Sequence, residues 1–354
     1  MRYDYGFSRL IPKGEYFSSI VFANFWILLL IISGTARADV FTLGFDWPNG
    51  IRAKVVENSR RVEKRFAGND VQQSDIAGTL SYEMKLTRVG NGFLVSFTNI
   101  KYELDNEANS SKQPQDRIQS LLNRIGAVVR PDFVVDSQGA LVEVVNIEAQ
   151  QKSLESYWAS ILPEDRAPLP KGLEGVDQMI SKMKSIYLSK EYISNVAAQD
   201  WMSYVTNLVG VEISLGESYQ FEAEQPLPGS SIKAIKTNTI ISTKADLIPC
   251  RRGHIDMRCI AFEARTIADP AGLEITFGQM GLDQVRKAVE QATGKKAVYS
   301  KMLMNTNLSL TTEPENLIPH SYNYSRRMAV DFEAEGTSGG IDRTDTKQIS
   351  FTYF

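Results

Sequence analysis

The stretch Ile232–Thr266, IKAIKTNTIISTKADLIPCRRGHIDMRCIAFEART, decides the fold class. From Ile235, alternate positions are Thr237, Thr239, Ile241, Thr243, Ala245 and Leu247. Between them lie Lys236, Asn238, Ser242, Lys244 and Asp246. A period of two with β-branched residues on one side is the pattern of a half-buried strand. Pro249 ends the run, because proline has no N–H to give to a ladder. Arg251-Arg252-Gly253-His254 turns the chain, and Ile255 to Thr266 returns. The spacing predicts one long β-hairpin.

Cys250 and Cys259, the only cysteines, flank that turn. Setting them directly opposite each other places Leu247 against Phe262, Ala245 against Ala264, Thr243 against Thr266 and Ile241 against Ala268. These pairs share one face. On the other, Lys244–Glu263 and Asp246–Arg265 are diagonals of opposite charge. The register therefore predicts a disulfide on the charged face, near a sheet rim. Two unpaired thiols are the competing reading. Two cysteines and His254 fall short of a four-ligand zinc site, so no metal is expected.

Outward from the hairpin, the N-terminus reads as an address. Arg2, Arg9 and Lys13 precede the apolar run Ile20–Ile32, and Ala36-Arg37-Ala38 follows. That is the layout of a secretory signal peptide over residues 1–38. The run is short for a membrane span; an uncleaved anchor is the alternative. Cleavage after Ala38 removes four basic and two acidic residues and takes the net charge from −3 to near −5. A mildly acidic mature chain argues against nucleic acid and anionic membranes as partners. The leader and the cysteine pair agree on an oxidising compartment, periplasmic or extracellular.

The rest alternates between strand and helix patterns in blocks. Val40–Phe45 alternates, Trp47-Pro48-Asn49-Gly50 is a turn, and Ile51–Phe66 is a charged strand expected to be exposed on one side. Leu80–Leu86 and Phe93–Tyr102 flank Val89-Gly90-Asn91-Gly92, a strong hairpin signal. Residues 105–115 read as a loop, Ile118–Ile125 as a helix, and 131–135 with 140–145 as strands around Asp136-Ser137-Gln138-Gly139. Three helical stripes follow: Leu154–Ile161, Leu173–Ile186 and Ile193–Leu208. Asp269-Pro270 opens a helix within 270–292. Strands close the chain at Val298–Leu310, Tyr322–Ala334 and Lys347–Tyr353, with Gly336–Gly340 as a turn.

This order predicts an α+β fold: a large, curved, mainly antiparallel sheet of long strands packed against a central group of amphipathic helices, half-barrel-like. Residues 39–354 form one domain, or two β-rich lobes (39–146 and 211–354) joined by helices over 147–209. In outline the layout resembles periplasmic lipoprotein carriers, half-barrels in which a curved sheet and helices enclose an apolar ligand. No site residue is carried over on that resemblance.

Catalytic signals are sparse. The chain has two histidines, His254 and His320, and lacks G-x-S-x-G, H-E-x-x-H and Walker patterns. No glycine-rich strand-to-helix turn indicates a nucleotide, and no cofactor is expected. Arg251-Arg252 and Arg326-Arg327 are basic pairs that suit solvent, or an anionic partner. Asn109, Asn307 and Asn323 head glycosylation sequons. The terminal Phe354 is out of phase with Phe351 and Tyr353, against an outer-membrane barrel strand.

The methionines and tryptophans point further. Trp158, Met179, Met183, Trp201, Met302 and Met304 lie on helix and strand faces expected to meet. Core packing is one reading; an adaptable apolar ligand site is the other. The first function expected is therefore an exported, non-enzymatic protein binding an apolar small molecule or lipid, or an envelope protein, in a cleft between sheet and helices. The alternatives are an envelope interaction protein without a cavity, and a secreted hydrolase using two carboxylates.

Overall fold

The computed structural model describes residues 40–67, 70–104, 130–161, 184–185, 188–225, 235–244, 246–251, 254–277, 290, 294–334 and 337–354. The leader, the helix expected at Ile118–Ile125, Asn109, and most of the Leu173–Ile186 stripe with Met179 and Met183 lie outside them.

One open sheet of 12 strands dominates. In chain order its strands are β2 (Arg52–Ala67), β3 (Asp70–Val89), β4 (Gly92–Leu104), β5 (Phe133–Val135), β6 (Leu141–Val144), β8 (Ser218–Gln225), β9 (Ile235–Thr243), β10 (Ile248–Arg251), β11 (His254–Ala268), β12 (Val298–Thr312), β13 (Pro319–Ala334) and β14 (Thr337–Tyr353). Every pairing in it is antiparallel. The spatial order is β6-β5-β4-β3-β2-β14-β13-β12-β11-β9-β8, with β10 paired to β11. Two meanders thus meet at one seam, β2 against β14, which runs unbroken from Ala53–Tyr353 to Ala67–Gly339. A separate two-stranded ribbon joins β1 (Val40–Thr42) to β7 (Glu212–Ser214).

Helices are few among the described residues. The described ones are α1 (Ile147–Ile161), α2 (Lys190–Trp201), continued by a π turn over Met202–Thr206, and α3 (Pro270–Phe277). Strand accounts for 63% and helix for 15% of the described residues. The expected central group of helices is weak, and the sheet carries most of the architecture.

Strand lengths of 13–20 residues in β2–β4 and 15–17 in β11–β14 come from long alternating runs, broken by single register shifts in the β3–β4 ladder between Ser81 and Glu83 and in the β12–β13 ladder at Tyr299–Lys301 and Thr311–Thr312. The Gly336–Gly340 segment is not a turn across its length: β14 already begins at Thr337. Gly339 and Gly340 are buried strand residues, and the rings of Phe332 and Phe66 lie where their side chains would be. Glycine there serves close approach of aromatics rather than chain reversal. The hairpin between β3 and β4 does turn at a glycine, Gly90, with φ of 57°.

β9 and β11 pair antiparallel as the expected hairpin, and Cys250–Cys259 is a disulfide with Cα atoms 5.0 Å apart. Its register differs from the expected one. Phe262 faces Thr243, Ala264 faces Ile241 and Ala268 faces Thr237. Leu247 therefore does not face Phe262, and Cys259 faces Ile248 rather than Cys250. The arm breaks between Thr243 and Ile248, and a bulge follows between Pro249 and Arg251. These irregularities add residues to one arm, so pairing counted back from the cysteines overshoots by four residues. The slip is even, which is why the faces were still sorted correctly. The disulfide is also buried rather than set on a charged face: Cys259 is fully enclosed, and its sulfur lies with that of Cys250 beside the His320 ring. His320 Nε2 is 2.9 Å from Glu313 Oε1.

The main core lies on one side of the sheet, toward α2. Trp201 sits at its centre, with ring centroids 5.3 Å from Trp47, 5.7 Å from Phe133 and 5.8 Å from Phe45. Its indole N–H donates to the Gly139 carbonyl at 2.8 Å. Val55, Leu80, Met84, Leu310, Tyr322 and Phe351 supply the floor from six strand positions.

Candidate functional site

The alternation that builds each strand also divides the sheet into two sides. Solvent meets one side, where cross-strand pairs such as Arg52–Glu83 (2.8 Å) and Arg327–Asp342 (2.6 Å) face water. Exposed pairs of this kind contribute little stability. The helix-facing side is different: it is apolar at both ends and charged across its middle.

At the core end of this charged band four residues close a ring. Arg130 Nη2 lies 3.0 Å from Glu57 and 3.3 Å from Asp200. Lys347 Nζ lies 3.1 Å from Glu57 and 2.7 Å from Asp200. Glu57 comes from β2, Lys347 from β14 and Asp200 from α2, so the ring pins the helix onto the seam between the meanders. Burial disfavours the charged Lys347, but Asp200 and Glu57 more than offset this and raise its pKa. Burial likewise works against the Asp200 carboxylate, and Lys347 and Arg130 hold it below the usual range. All charges in the ring are matched.

One row along, the charges are not matched among the described residues. Asp345 on β14 accepts from three guanidinium groups: Arg61 at 2.8 Å, Arg326 at 3.1 Å and Arg343 at 2.9 Å. Arg61, Asp345 and Arg326 are consecutive partners across β2, β14 and β13, and Arg343 stands two residues before Asp345 on the same side. Burial opposes the Asp345 carboxylate, yet Arg343 and Arg61 keep it below the usual carboxylate range. Burial, then the nearby charge of Arg61, lowers the Arg343 guanidinium. Beside them Glu63 accepts from Arg65 at 2.5 Å. Asp200 and Asp345 are thus held ionised, the opposite of the raised carboxyl a general acid needs.

Beyond this row the surface becomes apolar again. Met328 and Met304 face each other on β13 and β12, followed by Val330 opposite Met302. Ala268, Val330 and Leu273 of α3 are buried there, with Tyr299, Met302, Met304 and Met328 partly exposed around them.

The sequence-derived site residues therefore divide. Trp201 and Trp158 are both buried, Trp201 in the aromatic core. Met302 and Met304 lie in the second cluster, away from Trp201. Met179 and Met183 lie outside the described residues. The arginine row was missed because Ile51–Phe66 was expected to expose one side only. Arg61 is a charged residue at an inward position of that strand, and its side chain is 23% exposed. The signal present in the sequence was charge on both parities of β2, Arg60 and Lys64 alternating with Arg61, Glu63 and Arg65. Asn307 and Asn323, by contrast, are exposed on adjacent strands.

No family model and no curated protein sequence matches the chain. Among solved structures it is similar to one titled "Lipid-protein interactions in lipovitellin", at 9% identity and a TM-score of 0.33. The match covers 87% of this chain and 25% of that one, so the chain spans about a quarter of its length. At that identity and score the likeness carries no inference about ligand or activity. The disulfide is a bond that persists in oxidising compartments. Among the described residues, no helix is long and apolar enough to cross a membrane.

Proposed function

We propose that this chain is an exported, non-enzymatic protein that holds an apolar ligand, or an apolar segment of a protein partner, between the helix-facing side of its sheet and the helices above it. The supporting observation is the partly exposed methionine patch of Met302, Met304 and Met328 at the end of the sheet away from the packed aromatic core. Methionine lines adaptable apolar surfaces because it is unbranched and polarisable. Trp201 and Trp158 serve in this reading as the rigid, closed end, and Met302 and Met304 as the receiving surface. Export rests on the leader, with which the disulfide agrees.

Titration of the purified full chain with dodecanol, followed by native mass spectrometry and by competition against an environment-sensitive apolar dye, tests this. Saturable binding that weakens in Met304→Gln is expected. Absence of both dye and dodecanol binding would overturn the proposal.

A further inference from the structure

We infer that Arg61, Arg326 and Arg343 form a seat for the carboxylate or phosphate head of a single-chain amphiphile whose tail runs over Met328, Met304 and Met302. The inference rests on the apolar-ligand reading above and names the ligand class.

The first support is an imbalance of charge. Each guanidinium presents five N–H donors, whereas a carboxylate has about four acceptor sites. Three arginines share the single Asp345, and the neighbouring Arg65 and Glu63 cancel each other. Two positive charges remain unmatched among the described residues of this row. The adjoining ring of Arg130, Lys347, Glu57 and Asp200 is neutral and contributes no further anion. Arg326 Nε is enclosed and makes no hydrogen bond among the described residues. The enclosed Nε is not itself open to a ligand; the exposed part of the three arginine side chains is what an added anion would meet.

The second support is placement. The arginine side chains remain 22–24% exposed, so an incoming group can reach them. Arg343 faces Met328 across the β13–β14 ladder, and Arg326 is two residues from Met328 on the same side of β13. Head and tail surfaces are therefore continuous. From residue 326 to residue 330 a strand advances about 14 Å, roughly a chain of ten to twelve carbons. Arginine suits this role because its planar fork matches carboxylate and phosphate oxygens and stays charged when partly buried.

The test compares three twelve-carbon probes on the full chain at pH 8: laurate, dodecyl phosphate and dodecanol, with inorganic phosphate as a fourth arm. Laurate or dodecyl phosphate binding at least tenfold tighter than dodecanol supports the inference, and the tighter of the two identifies the head. Arg326→Gln and Arg343→Gln should each remove about tenfold of that advantage and leave dodecanol affinity unchanged. Asp345→Asn, which adds a net positive charge, should tighten laurate binding. Should these variants fail to fold, the wild-type salt dependence decides: laurate affinity falls between low and high salt while dodecanol affinity does not. Equal affinity for charged and neutral probes, with no salt effect, overturns the anion seat and leaves the apolar site standing. Binding of inorganic phosphate as tightly as dodecyl phosphate overturns the amphiphile and leaves only an anion site. Binding of none of the probes overturns both readings.

Discussion

Lys347→Met probes the ring that joins α2 to the seam of the sheet. The substitution keeps most of the side chain's length and removes its charge. Glu57 and Asp200 would then share Arg130 alone, leaving one negative charge unmatched in a site where Arg130 and Glu57 are only 10–11% exposed. Removing one partner from a buried ion pair costs about 3–5 kcal/mol. Lys347 is itself 23% exposed, which places the expected loss at the lower end, about 3 kcal/mol. With a urea slope of about 3 kcal/mol/M for a chain of this size, the midpoint should fall by about 1 M. Tryptophan fluorescence reports the transition directly, because Trp47 and Trp201 are buried beside the ring's helix. Adding Glu57→Gln to Lys347→Met restores neutrality and should recover at least half of the loss, a coupling that a double-mutant cycle isolates. A Lys347→Met midpoint equal to wild type, or a double variant whose loss is the sum of the two singles, would refute the ring as a unit held by charge balance.

Two further expectations follow from other parts of the molecule. Cys250→Ala with Cys259→Ala opens a short loop of sequence separation 9 and should lower stability by about 2–3 kcal/mol in the chain-entropy model; the wild type in reductant should fall to the same midpoint, and an unchanged midpoint in both would contradict a structural staple. Asp132 behaves in the opposite sense to Asp345: burial raises its pKa, although the Phe97 N–H donates to it. A raised carboxyl favours the protonated form in the folded state, so its cost is absent at low pH and present once pH exceeds the folded pKa. Asp132→Asn keeps the acceptor and should raise stability at pH 7, by less than about 1 kcal/mol because the partly exposed site is screened by water. That gain should vanish below about pH 4, the ordinary aspartate range, and thermal melts at both values check the sign.

Local alternation was enough to define much of this protein. The strand of Val298–Leu310, the hairpin at Gly90 and the disulfide all rest on interactions between residues near in sequence, and the period of two survives any tertiary arrangement. Even the mistaken register of the cysteine hairpin kept its faces, because the error was an even number of residues. What sequence could not contain was information about partners far along the chain. The pairing of β2 with β14 joins residues nearly three hundred positions apart, and only that seam brings Arg61 to Asp345 and Glu57 to Lys347. Read alone, Arg61 is one of many charges on a polar strand, and Arg326 half of a basic pair. The same limit applies to the methionines: periodicity placed Met302 and Met304 on one face, but which cluster that face joins depended on β13 supplying Met328 and Val330 beside them. Alternation settles which side a residue faces; non-local pairing decides what it meets there, and here that difference separates a strand pattern from an arginine row beside an apolar surface.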